Sequence, residues 1–67
     1  MGKDDLVYEY IGEFIGKEGY SPSYQEIMLG TGITTKGTVH NILNRLANGN
    51  RIKMVPGVSR TIQIVKQ

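Results

Sequence analysis

The sequence predicts a mostly α-helical single domain over residues 1–67, with three helices followed by a small β-hairpin. Three observations lead to that class. Apolar residues recur at helical spacing in separate stretches. Glycines punctuate the ends of those stretches. The last segment changes to two-residue alternation around Pro56-Gly57, which signals a hairpin. A chain of 67 residues makes one domain at most and buries a small core.

The first helix is expected over about 4–18. Val7, Ile11, Phe14 and Ile15 form its inward stripe, with Leu6, Tyr8 and Tyr10 at the edges. Asp4 and Asp5 stand where the positive end of the helix dipole favours carboxylates. Gly12 and Gly16 weaken the helix by about 1 kcal/mol each if exposed. Gly19 supplies a C-terminal stop. The second helix is expected over about 23–31. Ser23 and Glu26 form a capping box, in which hydroxyl and carboxylate each accept a hydrogen bond from a free backbone N–H. Ile27-Met28-Leu29 follows directly, and Gly30-Thr31-Gly32 ends the helix in a tight turn.

The third helix is expected over about 35–48, capped by Thr34 or Thr35. Val39, Ile42, Leu43 and Leu46 make its inward stripe, and Gly49-Asn50 gives a left-handed stop. In the hairpin, over about 52–65, Ile52, Met54, Ile62 and Ile64 alternate with Lys53, Val55, Thr61, Gln63 and Val65. Pro56-Gly57 suits the centre of a type II turn. Met28, Leu29, Val39, Ile42, Leu43, Leu46, Ile52, Met54, Ile62 and Ile64 are the expected core. Tyr8, Tyr10 and Tyr20 are expected to be half-buried with wet hydroxyls.

Charge is distributed unevenly. All six acidic residues lie at or before Glu26, where only Lys3 and Lys17 oppose them. Beyond Glu26 come Lys36, Arg45, Arg51, Lys53, Arg60 and Lys66, with no acid. The overall charge of +2 hides this split. A surface without carboxylates suits a polyanion, because each phosphate met by Lys or Arg releases condensed counterions. The chain has no cysteine and one histidine, His40, so disulfides and Cys-based metal sites are excluded and a multi-His zinc site or a catalytic triad is not expected. No run reaches the roughly 18 apolar residues of a membrane span, and no signal-peptide pattern opens the chain. The expectation is a cytoplasmic protein that is not an enzyme, with no cofactor, metal, membrane or small-molecule ligand.

Two helices joined by a glycine turn, the second with a polar outer face, make a helix-turn-helix; the hairpin after it makes the unit winged. In such a unit the third helix enters the DNA major groove. Thr35, Lys36, Gly37, Thr38, His40, Asn41, Asn44 and Arg45 are its candidate contacts. Asn41 and Asn44 can pair bidentately with adenine. Thr35 caps the helix and presents its N-terminus to a phosphate. Ser23 and Tyr24 at the second helix, and Lys53, Gly57, Ser59 and Arg60 on the wing, are candidate backbone or minor-groove contacts. Ser23 is a cap first, and Arg60 has packing or bonding across the hairpin as its other reading.

From Asp5 to Val65 the chain resembles the N-terminal DNA-binding domain of the LexA repressors. Pro22-Ser23-Tyr24-Gln25-Glu26-Ile27 matches the opening of that family's second helix. Gly32-Ile33 matches its turn, Leu43 and Leu46 its paired leucines, and Ile52 through Ser59-Arg60 its wing. The resemblance implies a bacterial or mobile-element transcriptional regulator that acts by occupying an operator. The polar set at Thr35, Gly37, Thr38, His40 and Asn41 differs from the family's acid-bearing recognition helix, so the family's operator does not carry over. Thr31 stands where the family places leucine. The family's self-cleaving domain has no counterpart here, so its Ser-Lys chemistry is not carried over, and a complete chain would be a stand-alone reader.

The leading expectation is therefore sequence-specific binding to double-stranded DNA. One copy covers half a site, which makes a homodimer on DNA one route to affinity. Two other readings compete. One is a protein-interaction module working through the acidic first helix, with Asp4, Asp5, Glu9, Glu13 and Glu18. The other is an architectural or recombination-directing protein that reads DNA shape.

Overall fold

A computed structural model describes residues 2–55 and 57–65. Its elements are α1 (Lys3–Glu18), α2 (Tyr24–Thr31), α3 (Lys36–Asn48), β1 (Ile52–Lys53) and β2 (Gln63–Ile64). The three helices pack against one another, and the two strands pair antiparallel as a wing behind α3. This is the winged helix-turn-helix that the element pattern predicts.

Val7 and Ile11 of α1, Ile27 of α2, and Val39, Ile42, Leu43 and Leu46 of α3 are buried in one cluster. Ile33 in the turn, Ile52 of β1 and Ile62 before β2 complete it. The α3 stripe is buried as its spacing requires. In α2 the inward residue is Ile27, while Leu29 is 79% exposed and leaves the expected core. Three consecutive helical positions span about 200° of arc, so they cannot all face one side. Met28, Met54 and Ile64 pack on the core's margin.

Glycine works differently at two places. Gly19 and Gly32 close α1 and α2 at φ of 82° and 78°, the left-handed region that a side chain disfavours. Gly30, expected to help end α2, lies inside it. There the Tyr10 ring occupies the space that a Cβ would fill, so the residue permits α1 and α2 to approach. At the end of α3, Gly49 has φ of −84°; the left-handed residue is its neighbour Asn50, at 60°.

The hairpin pairs over a shorter length than its alternation suggests. Among the described residues, only Ile52↔Ile64 and Lys53↔Gln63 face each other. The Ile62 N–H donates to the buried Ser21 hydroxyl at 3.1 Å, and the Thr61 hydroxyl accepts from Val55 N–H at 2.9 Å and donates to Val58 O at 3.1 Å. Side chains therefore take over the backbone groups that a longer ladder would have paired. At the tip, Val58 N–H donates to Val55 O at 3.2 Å, and Gly57 has φ of 78°, as the third residue of a type II turn requires. Pro56 lies outside the described residues.

Candidate nucleic-acid interface

The start of α2 is built by the expected capping box. Glu26 N–H donates to Ser23 Oγ at 3.2 Å, and Ser23 N–H donates to Glu26 Oε1 at 2.8 Å. This satisfies two of the free N–H groups at the helix start and sets Tyr24 immediately behind it. The Tyr24 hydroxyl is hydrogen-bonded to His40 Nδ1 at 3.2 Å, which ties α2 to the first half of α3. Lys36 Nζ sits 5.7 Å from the centre of the Tyr24 ring.

These groups meet the wing. Ser23, Tyr24, Gln25, Met28, Lys36, His40, Gly57, Val58 and Ser59 line one groove of about 680 Å³. Six of the sequence-derived candidates thus share a single concavity: two from α2, two from α3 and two from the wing tip. Met28, expected in the core, also lines it, as do Gln25 and Val58, which were not among the candidates. Nothing in the residue pattern marks them, since a lone exposed Gln or Val is ordinary surface.

The remaining α3 candidates do not line this groove. Gly37, Asn41 and Asn44 are exposed along the helix. No side chain would be hindered at Gly37, where nothing lies within 4 Å of a Cβ position. Thr35 occupies the N-cap position with extended backbone, yet its hydroxyl makes no cap bond. It is hydrogen-bonded instead to the Thr38 hydroxyl at 2.6 Å. The cap is thus positional, and the first N–H groups of α3 lack a side-chain acceptor from Thr35. A smaller cleft of about 190 Å³ brings Lys3 and Leu6 of α1 beside Thr34, Thr35 and Thr38. Sequence spacing gave no sign of that neighbour.

Charge pairing alters the simple picture of an acid-free basic half. Three of its arginines are met by carboxylates from the N-terminal part. Arg45 grips Asp4 through Nε at 2.9 Å and Nη2 at 2.7 Å. Arg51 Nη1 reaches Asp5 at 3.1 Å, and its guanidinium lies 4.2 Å from the Tyr8 ring centre. Arg60 Nη1 reaches Glu26 at 2.8 Å and Ser21 O at 3.1 Å. Hydrogen bonding from Arg45 holds the Asp4 carboxyl below its ordinary value, and the same pair raises Arg45. Glu26 is lowered first by the Ser23 N–H and then by Arg60.

Among the described residues, Lys36 and Lys53 of the basic half enter no ion pair, and both are exposed. Lys53 stands on β1, with its alternating neighbour Ile52 in the core. The pairing also uses Asp4 and Asp5, two of the five acids that a protein-binding first helix would have presented. No described helix is long and apolar enough to cross a membrane.

The family profile described as LexA DNA binding domain matches residues 3–61. The LexA repressor of Moorella thermoacetica is 40% identical over 60 residues, covering 90% of this chain and 29% of that protein. The LexA repressor of Clostridium novyi is 38% identical over 61 residues, covering 91% and 30%. That of Staphylococcus haemolyticus is likewise 38% identical over 61 residues, covering 91% and 30%. The chain therefore spans about 30% of the length of the curated relatives it matches. With a profile match across most of its length, and with capping box, turn, paired leucines and wing all in place, the chain belongs to the LexA DNA-binding domain family.

Proposed function

We propose that this chain binds double-stranded DNA sequence-specifically and serves as the DNA-reading part of a transcriptional regulator, without catalysis of its own. The observation that carries the reading is the shared groove. It collects Ser23 and Tyr24, Lys36 and His40, and Gly57 and Ser59 from three separate elements. A duplex lying there meets α3 on one side and the wing on the other, which is the arrangement that lets a helix read base edges while a hairpin holds the backbone. Asn41 and Asn44 supply paired donors and acceptors for adenine, Thr38 and His40 flank them, and Lys36 and Lys53 supply charge for phosphates. Gly37 lets α3 approach closely. Thr35 leaves the first N–H groups of α3 open to a phosphate oxygen. Arg45 reaches a phosphate only by sharing or leaving Asp4. Two copies on a two-fold site would give the affinity that one small interface lacks, and the setting would be the cytoplasm, at the nucleoid.

The test is selection of a binding duplex from a random pool, followed by titration of variants. Asn41→Ala is expected to relax base preference at a defined position, with a loss of about 1–3 kcal/mol. Lys53→Ala is expected to weaken all duplexes alike and to reduce the salt slope by about one unit. No enriched sequence, and no binding even near about 50 mM salt, would refute the reading.

A further inference from the structure

The wing has very little ladder of its own. Among the described residues, two residue pairs join its strands, and its tip stands beyond them at Gly57 and Ser59. A hairpin held only at its base would pivot, and the groove it walls would have no fixed width. What steadies it is a cluster at the start of α2. One guanidinium nitrogen of Arg60 donates to both Ser21 O and Glu26 Oε1, and the guanidinium carbon lies 5.1 Å from the Tyr20 ring centre. The same Glu26 oxygen accepts from Ser23 N–H. Two residues further on, Ile62 N–H donates to the buried Ser21 hydroxyl. Arg60 also has φ of 59°, a left-handed backbone that residues with a side chain seldom adopt, and one that persists where the surroundings over-determine it.

We propose that Arg60 is a positioning residue for the wing, acting through Glu26 and Ser21, rather than a phosphate contact. The proposal rests on the DNA-binding reading above. It joins two motifs that are far apart in sequence: the capping-box glutamate and the Ser59-Arg60 pair form one physical unit, 34 residues apart along the chain. A carboxylate that already neutralises Arg60 would repel an approaching phosphate, so Arg60 adds little to counterion release. Its effect on DNA is to hold Gly57 and Ser59 at the distance from α3 that the duplex requires.

The experiment uses the whole chain and a duplex enriched from a random pool by the parent protein. Arg60→Ala, Arg60→Lys and Glu26→Gln are compared, together with the Arg60→Ala/Glu26→Gln double variant. Glu26→Gln keeps an acceptor for Ser23 N–H and removes the ion pair. Arg60→Ala is expected to bind about ten-fold more weakly, with an unchanged slope of log K against log salt. Hydroxyl-radical protection should vanish on the wing side and persist where α3 lies. The double variant should be no weaker than Arg60→Ala alone. Arg60→Lys keeps the charge but loses the planar fork and stacking, and should behave as Arg60→Ala does. In the free protein, Arg60→Ala and Arg60→Lys should speed exchange of the Ile62 amide while leaving the α3 core amides protected. A slope reduced by about one unit in Arg60→Ala, with Arg60→Lys binding as the parent, would instead make Arg60 a phosphate contact and overturn the proposal. Unchanged Ile62 exchange in both variants would overturn it as well. Because that exchange is measured without DNA, failure of the parent to bind any duplex would refute the DNA reading while the positioning claim is still judged.

Discussion

The three-helix body and the wing are held by different forces. The body is closed by apolar burial: Val7, Ile11, Ile27, Ile33, Val39, Ile42, Leu43 and Leu46 interlock across all three helices. Among the described residues, the wing puts only Ile52 and Ile62 fully into that core. Met54 and Ile64 pack on the core's margin, and polar bonds through Ser21 and Arg60 tie the wing to the start of α2. Apolar burial is non-directional and indifferent to charge, so it gives stability. Hydrogen bonds and ion pairs of this kind contribute less energy but fix direction. The body is thus built to persist, and the wing to point.

The largest effect is expected in the body. Leu43→Ala removes a fully buried side chain from the middle of α3. A loss of about 2–5 kcal/mol is expected, a large share of the stability of so small a domain, and the body and wing should melt together. Thermal unfolding followed by circular dichroism and by wing amide signals checks this; a wing that survives the loss of the helices would refute it. Next comes Ser21→Ala. It leaves the buried Ile62 N–H without its acceptor, at an expected cost of about 1–3 kcal/mol. Here the wing should loosen first, visible as faster Ile62 exchange below the melting transition.

Ser23→Ala sharpens the contrast at the joint. It removes the hydroxyl half of the capping box, worth about 1 kcal/mol, which lowers the melting point of a domain of this size by about 4–8 °C. Well below that melting point the variant should bind DNA almost as the parent does. Weak binding with an unchanged melting point would mark Ser23 as a direct phosphate contact. The smallest effect is that of acid. Asp4 and Glu26 both titrate below their ordinary values, so the native state binds fewer protons than the unfolded chain. Their contribution is therefore complete at neutral pH and is lost as pH falls from the ordinary carboxylate range through the lowered native values. Partial exposure keeps it small. The melting point should stay level until that range and then decline, and Asp4→Asn with Glu26→Gln should flatten the decline.

The same division explains what is legible in the sequence. The α3 stripe was readable because periodicity reports which side of a long helix is inside. The capping box was readable because its partners are three residues apart. In α2 the run Ile27-Met28-Leu29 carries no phase, so it does not show that Leu29 faces outward. The polar attachments were not readable. Asp4–Arg45 and Ser21–Ile62 each span 41 residues, and neither leaves any local pattern. Of the candidate site, the exposed face of α3 followed from its buried face by subtraction. The meeting of Tyr24, His40 and Ser59 depended on how three elements pack, which spacing alone does not encode.

Duplex DNA is proposed to lie in the groove between the start of α2, α3 and the wing tip. The most direct measurement is amide chemical-shift mapping of the labelled chain titrated with its selected duplex. The largest changes are expected at Ser23 and Tyr24, from Lys36 to Asn44, and from Gly57 to Ser59, with Glu9, Glu13 and Glu18 on the exposed face of α1 unmoved. Changes concentrated on that acidic face, with α3 unmoved, would contradict this placement of the duplex.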